Sequence, residues 1–455
     1  MSPVRTLTSL FALTAIFGLS SVGRAEAANI QIGAELGHST IDRKSKDRVY
    51  LRLSLKSLAA AQRSKRPPIN VALVLDRSGS MSGDRIAHAK KGAEVALERL
   101  SKDDIVALVS YNHGVEVDVP AGKIGSKRDD IERAIRNLMA SGTTALYAGV
   151  KEGGAQVERY RSDMQVNRVV LLSDGLANVG PSSPADLAEL GRALASKGIS
   201  VSTIGLGLEY NEDLMQRLAA ASDGNHVFVE RPSDLAEIFD REFGDALSIA
   251  ARDVIITIEC KAGFKPKRVL GRDGEISGDR ITLKLNQLQA ENERYVVVEL
   301  EPSSAASTAA EESIASIAVD YLDMESGARS SDSTVVKAKF TDDGKEAEAS
   351  LNKGVMSQVT EQVATENSER AVELRDQGDI AGARKALEDN AAYLNAQKNS
   401  LGVGALAAPS ASISKLDKLE EKSREAANSL EGEGWDRTRK MMRSDQHKAK
   451  VQQTY

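Results

Sequence analysis

From Val49 to Lys56 apolar and polar residues alternate, with Val49, Leu51, Leu53 and Leu55 on one face and Tyr50, Arg52, Ser54 and Lys56 on the other. A period of two with a single apolar face predicts a half-buried strand of an antiparallel sheet. After a polar, Pro-containing link (Gln62 to Pro68) the pattern changes: unbroken apolar runs at 69–75, 105–109, 169–172 and 199–204 alternate with stretches of helical period. Runs of that kind predict strands buried on both faces. Between them, Ile86, Ala89, Ala93, Leu97 and Leu100 mark one helix. A second opens at Ser183-Pro184, an N-cap followed by proline at the first helical position, and stops at Gly198. A third follows Asn211 and ends near Gly224, and a fourth follows Ser233. Strands alternating with helices imply an α/β fold with a doubly wound, mostly parallel sheet.

Past about Leu247 the alternation returns, in Ile281, Leu283, Leu285, in Val296, Val298, Leu300, in Ile317, Val319, Tyr321 and in Val336, Ala338, Phe340. These predict an antiparallel β-sandwich. The strand at Val49 has no partner in the α/β region, so it is assigned to the sandwich, with the α/β region inserted; the alternative is a separate N-terminal hairpin. From Lys353 the chain turns helical, with Val355, Val359 and Val363 on one helix and Ile380, Ala383, Leu387 and Leu394 on the next. They resemble one helical hairpin of a repeat protein, with no second copy. A charged helix is expected from Ile413 to Leu430. The domains expected are an export signal at 1–27, N-terminal strands at 28–66, the α/β domain at 67–247, the sandwich at 248–345 and a helical hairpin and tail at 346–455.

Composition adjusts this picture little. With 41% hydrophobic and 28% charged residues the chain is ordinary globular protein, and a net charge of −6 without a basic block excludes nucleic acid as a partner. The basic stretch Arg437, Arg439, Lys440, Arg443, Lys448 and Lys450 reads as a solvated helix end or tail. At the N-terminus Arg5 precedes an apolar run over 10–19, and Ala25-Glu26-Ala27 offers a cleavage site. That is an export signal, placing the mature protein in the periplasm or outside the cell, and the run is short of the roughly 20 residues that span a bilayer. The single cysteine, Cys260, allows no intrachain disulfide and sits on the apolar face of a strand.

Chemistry concentrates where strands end. The run closing at Leu75 delivers Asp76-Arg77-Ser78-Gly79-Ser80, and Asp174 closes another buried strand in Ser173-Asp174-Gly175. In a doubly wound sheet ligands sit beyond the carboxyl ends of the strands. Carboxylates and hydroxyls at one edge make an all-oxygen site of the kind hard cations such as Mg²⁺ prefer. Taken singly, each of these residues is a helix cap or turn former. Asp84 answers the dipole of the following helix, and Tyr111, Asn112 and His113 form a surface loop that could line the ligand face.

Asp-x-Ser-x-Ser after the first strand, a Gly-Thr pair in mid-domain and Ser-Asp-Gly after a later strand resemble the metal-ion-dependent adhesion site of the von Willebrand factor A domain. The resemblance spans about 69–247 and extends to bacterial secreted proteins described as chloride-channel-like. It implies that Ser78, Ser80 and Thr143 ligate the metal through their hydroxyls, with Thr144 the nearest competitor of Thr143. It also implies that Asp76 and Asp174 hold metal-bound water, with Mg²⁺, or Ca²⁺ or Mn²⁺, as the ion. An open coordination position would accept Asp or Glu from a protein ligand. The expected function is metal-dependent protein binding in adhesion, assembly or scaffolding. A metal-dependent enzyme, or a regulator of a membrane or ATPase complex, is the alternative. Against an enzyme, no Gly-x-Ser-x-Gly elbow, phosphate loop or Cys/His pairing is found.

Overall fold

The computed structural model describes residues 30–57, 66–302, 309–402 and 408–452. The export signal expected at 1–27 and most of the polar link before Pro68 fall outside these residues. Three strands come first, β1 (Ile30–Leu36), β2 (Thr40–Asp42) and β3 (Val49–Ser57). The α/β domain then runs β4 (Ile69–Asp76), α1 (Asp84–Glu98), β5 (Ile105–Tyr111), β6 (Val115–Lys123), α2 (Arg128–Asn137), α3 (Leu146–Glu158), β7 (Val166–Ser173), α4 (Pro184–Ala195), β8 (Ile199–Leu206), α5 (Glu212–Ala221), β9 (His226–Val229) and α6 (Leu235–Leu247). Its six strands lie in the order β6-β5-β4-β7-β8-β9, all parallel except the β5–β6 hairpin. Every residue of β4, β5, β7 and β8 is buried, because helices cover both faces. Ile69, Val71, Leu73 and Leu75 pack towards α1, α2 and α6, while Ala72 and Val74 pack towards α3, α4 and α5. The helix predicted after Ser183 is α4; Ser183 and Asp186 form a capping box and Pro184 opens the first turn.

The chain continues through β10 (Ile249–Cys260), β11 (Phe264–Leu270), β12 (Glu275–Ser277), β13 (Arg280–Gln289), β14 (Glu293–Pro302), β15 (Glu311–Asp323) and β16 (Arg329–Thr341). These form two sheets with the N-terminal strands, β1-β3-β14-β11 and β12-β13-β10-β15-β16-β2. Leu51 of β3 lies opposite Val298 of β14, so the α/β domain is inserted between two strands of one sheet. The inner faces meet through Leu51, Leu53, Ile256, Ile258, Leu283 and Val298, and Cys260 is buried with them. One strand differs from its simple alternation. In β14 Tyr295 and Val297, on the outward face, are buried as well as Val296 and Val298, because a helix lies on them.

That helix is α8. After α7 (Gly344–Ala349), the helices α8 (Lys353–Asp376), α9 (Ile380–Gly402), α10 (Ser410–Asn428) and α11 (Glu433–Val451) complete the described chain. Val355 and Val359 of α8 seat on Leu270, Tyr295 and Val297 of the sandwich. Ala371, Leu387, Ala427, Trp435 and Met442 join all four long helices in one core.

The basic stretch read as a solvated tail is α11, and apart from the exposed Arg437 its basic side chains are buried or half-buried. It lies against α5 and β9 of the α/β domain. Lys440, 4% exposed, donates to the Tyr210 carbonyl at 2.8 Å and to Glu212 at 2.6 Å, and stands 4.5 Å above the Tyr210 ring. Arg439 bridges Asp213 at 2.6 Å and Asp376 at 2.7 Å and also pairs with Glu212; Arg443 lies 2.9 Å from Asp213. Burial alone would raise the Asp213 carboxyl, but Arg443 and Arg439 hold it below the usual carboxylate range. The charge run is therefore an intramolecular docking face, and it covers a sheet edge that would otherwise stay open. Among the described residues no helix is long and apolar enough to cross a membrane.

Candidate metal centre

The carboxyl end of β4 leads into a loop whose conformation its own first side chain sets. Asp76, fully buried, accepts from the Ser78 amide at 2.8 Å through Oδ1 and from the Ser173 hydroxyl at 2.7 Å through Oδ2. The loop is zipped to the segment before α3, where the Ser141 amide donates to Arg77 O at 2.8 Å and the Gly79 amide to Gly142 O at 2.9 Å. Gly142 has φ +79°, a conformation that costs glycine nothing, and the tight approach of the two backbones depends on it. Parallel pairing of β4 with β7 brings Asp174 to the same edge.

The hydroxyls converge. Ser78 Oγ and Ser80 Oγ are 3.0 Å apart, and Ser80 Oγ donates to Asp174 Oδ1 at 2.7 Å. A β-carbon placed on Gly175 would meet Ser80 Oγ and Thr144 Oγ1 at 3.3 Å each and Ser78 Oγ at 3.9 Å. Glycine at this position leaves open the one point on which all three oxygens bear. Thr144 is 3% exposed, whereas Thr143 is exposed to solvent. The structure thus turns Thr144, not Thr143, into the cluster. Two contacts decide this: the Thr144 amide donates to Asn178 Oδ1 at 2.8 Å, and the Ala145 amide donates to Asn112 O at 2.7 Å.

Of the five residues singled out in sequence, Asp76, Ser78, Ser80 and Asp174 stand together and Thr143 does not join them. Four others emerge. Thr144 takes the place of Thr143, Asn112 and Asn178 shape its loop, and Ser173 orients Asp76. Ser173 lies inside the Ser-Asp-Gly motif, so the motif held the signal. Arg85 carried none beyond its place on the first turn of α1. Its guanidinium donates to Asp174 Oδ2 at 2.7 Å and to Glu209 at 2.9 Å, supplying the only cation paired with either buried carboxylate among the described residues.

Among the described residues Asp76 has hydrogen-bond partners but no counter-ion. Burial, partly offset by Ser78 and Ser173, pushes its carboxyl up to about 6. A buried carboxylate in that condition gains from a cation placed beside it. Among the described residues no three His, Cys, Asp or Glu side chains gather as a metal cluster. The donor set here is instead three hydroxyls and two carboxylates, all hard oxygen, which fits Mg²⁺, Mn²⁺ or Ca²⁺ better than a soft ion.

Residues 70–241 match the family model of the von Willebrand factor type A domain. The chain carries a von Willebrand factor A domain. It is 28% identical over 200 residues to the uncharacterized protein sll0103 of Synechocystis, a stretch covering 44% of this chain and 47% of that protein. It is 29% identical over 210 residues to the uncharacterized protein YfbK of Escherichia coli, covering 46% of this chain and 36% of that protein. The chain thus spans less than half the length of these relatives. The fold of a von Willebrand factor type A protein from Catenulispora acidiphila superimposes with TM-score 0.66 at 16% identity, covering 87% of this chain and 98% of that one. That likeness extends over the sandwich and helices as well as the A domain. A domains typically mediate protein–protein interaction and commonly bind a divalent metal at their adhesion site.

Proposed function

We propose that this protein is exported and grips a protein partner through a divalent metal, Mg²⁺ in the first place, held at the carboxyl edge of the A-domain sheet. The observation that carries the reading is the convergence of Ser78, Ser80 and Thr144 hydroxyls beside two buried carboxylates. Ser78, Ser80 and Thr144 would hold the ion directly, with Asp76 and Asp174 orienting the hydroxyls and compensating its charge. When bound, the ion supplies a Lewis-acidic position for an acidic side chain of the partner. The chain's own residues keep that position rigid: Ser173 and the Ser78 amide fix Asp76, and Asn178 and Asn112 fix Thr144. Few direct carboxylates leave the ion electrophilic enough to prefer an outside anion. The export reading is supported by Arg5, the apolar run over 10–19 and Ala25-Glu26-Ala27.

Calorimetric titration of the metal-stripped chain with MnCl₂ tests the site. One saturable site is expected, weakened about 10-fold or more by Ser80→Ala and by Thr144→Ala. Thr143→Ala should leave it within about two-fold, as expected of an exposed side chain outside the donor set. A wild-type chain that takes up no Mn²⁺, or a Thr143→Ala loss as large as that of Thr144→Ala, sinks the assignment. Fractionation of expressing cells tests export, which recovery of the full-length chain from the cytoplasm alone would refute.

A further inference from the structure

Large apolar side chains left in solvent are normal when scattered and informative when gathered at one place. Among the described residues eight are exposed, and three of them stand on the loops that build the metal edge: Met139 at 77%, Leu176 at 58% and Leu208 at 42%. Leu176 follows Asp174 by two residues, so its Cα lies within about 7 Å of that of Asp174. Leu208 follows Gly207, whose missing β-carbon would sit 3.5 Å from the Arg85 guanidinium that holds Asp174. Met139 precedes by two residues Ser141, whose amide is bonded to the Asp76–Ser80 loop at Arg77. Apolar residues close by on the chain find cover: Leu138 is buried, Ala177 packs on the core beneath α3 and α4, and Tyr210, two residues past Leu208, is buried under α11. The exposed three therefore do not result from a general shortage of core at this end of the domain.

We propose that the metal edge docks an extended protein segment in which an acidic residue is flanked by large apolar side chains. The acid meets the ion beside Arg85, and its neighbours rest on Leu176 and Leu208, with Met139 on the loop that leads into Ser141. This rests on the metal-dependent reading above and adds to it the chemistry of the partner. Charge and apolar surface are complementary in the same few residues. The edge offers a cationic centre, formed by the ion and the Arg85 guanidinium, with three exposed aliphatic side chains on the loops that build it, a combination that disfavours basic or wholly polar segments. Leu176 lies no further from Asp174 than two residues of extended chain advance, so the acidic and apolar groups of a ligand belong one or two positions apart. Such an arrangement, a small ionic centre sealed by apolar contacts that exclude water, is how a few residues carry most of the affinity of an interface.

The test uses the full chain in MgCl₂ and two random nine-residue peptide libraries, one with Asp fixed at the centre and one with Asn. Selection from the Asp library should enrich Leu, Ile, Met or Phe one or two positions from the centre, and the Asn library should yield nothing that EDTA releases. The double variant Leu176→Asn/Leu208→Asn should bind the enriched peptide at least 10-fold more weakly while its Mn²⁺ affinity stays within two-fold of wild type. Enriched acid without an apolar neighbour, or a double variant that binds the peptide as well as wild type, overturns the apolar rim and leaves the metal site standing. Selection indifferent to the central Asp, or unaffected by EDTA, overturns the metal-dependent reading and the partner chemistry with it.

Discussion

Two sets of buried charge lie on opposite sides of the loop that follows β8, and they are built on opposite rules. At the seam with α11 every acid has a cation. Glu212 has Lys440 and Arg439, and Asp213 has Arg439 and Arg443, which hold it below the usual carboxylate range. At the metal edge Asp76 has, among the described residues, an amide and a hydroxyl and no cation, and burial lifts it to about 6. Asp174 shares one arginine with Glu209. The seam is electrostatically complete and serves to fasten α11. The edge is short of positive charge and rigidly held, as a site for a cation should be. A buried acid by itself marks nothing; whether the fold supplies its counter-charge separates fastening from binding.

The largest effect comes from breaking the complete set. Glu212→Leu strands the Lys440 ammonium against the Tyr210 ring with no carboxylate. Removing one partner of a buried pair costs about 3–5 kcal/mol. The single tryptophan, Trp435, lies on α11 with Arg375 5.4 Å over its ring, so urea denaturation followed by its fluorescence reads the release of this helix directly. Adding Lys440→Met should recover most of the loss, because an apolar pair of similar volume is close to neutral there. If the double variant is as unstable as the single, the seam holds through something other than charge pairing.

Next comes pH, which should drive the two regions in opposite directions. His447 on α11 donates from Nε2 to Gly224 O, 2.9 Å away, and its ring meets His226 edge to face. Burial pushes it down to about 4 from an ordinary 6.5; Gly224 and Asp223 oppose this, and Arg294 and Lys450 add to it. A base depressed on folding binds its proton more readily in the unfolded chain. Its contribution is full above 6.5 and is lost as pH falls towards 4, about 2 kcal/mol of it between pH 7 and pH 5. Asp76, an acid raised on folding, behaves oppositely in the metal-stripped chain. Its cost is absent below 3.8 and complete above about 6, so the same acidification returns about 1 kcal/mol. Urea midpoints of metal-stripped His447→Gln and Asp76→Asn, measured at pH 7 and pH 5, should show the first flattening the acid loss and the second deepening it. The comparison collapses if both variants shift the pH dependence the same way.

Much of this was legible in the sequence, and the residues that were not share a cause. The switch from period two at Val49 to unbroken runs at Ile69 and back again after Leu247 reflects local burial, so it announces the α/β domain and the two-sheet sandwich directly. Ser183-Pro184 announces α4 because a cap is a local device. Thr143 and Thr144 are chemically identical and adjacent; the choice between them is made by Asn178, 34 residues on, and by the Asn112 carbonyl. The basic face of α11 reads as solvated because its partners, Glu212 and Asp213, lie 227 and 226 residues earlier in the chain. Pairing across such separations leaves no periodic trace. Asp76, Ser78 and Ser80 come together as their sequence suggests because their spacing within one loop carries the geometry, and Asp174 joins them because it closes the strand paired with β4.

The finest distinction between the two regions is the part played by Arg85, the one cation paired with a buried carboxylate of the edge among the described residues. At the seam a cation completes the structure; at the edge it stands where a divalent ion would feel it as a like charge. Its guanidinium is 28% exposed and 2.7 Å from Asp174, so solvent screens the repulsion. Arg85→Gln should therefore tighten Mn²⁺ binding only about two- to five-fold at low ionic strength, an effect of about 0.5–1 kcal/mol, and this gain should shrink as salt is added. Weaker binding in this variant would show instead that Arg85 acts by holding Asp174 in place, because Ser80 depends on Asp174 Oδ1 for its orientation. The salt series separates the two, since repulsion between charges fades with ionic strength and a lost positioning contact does not.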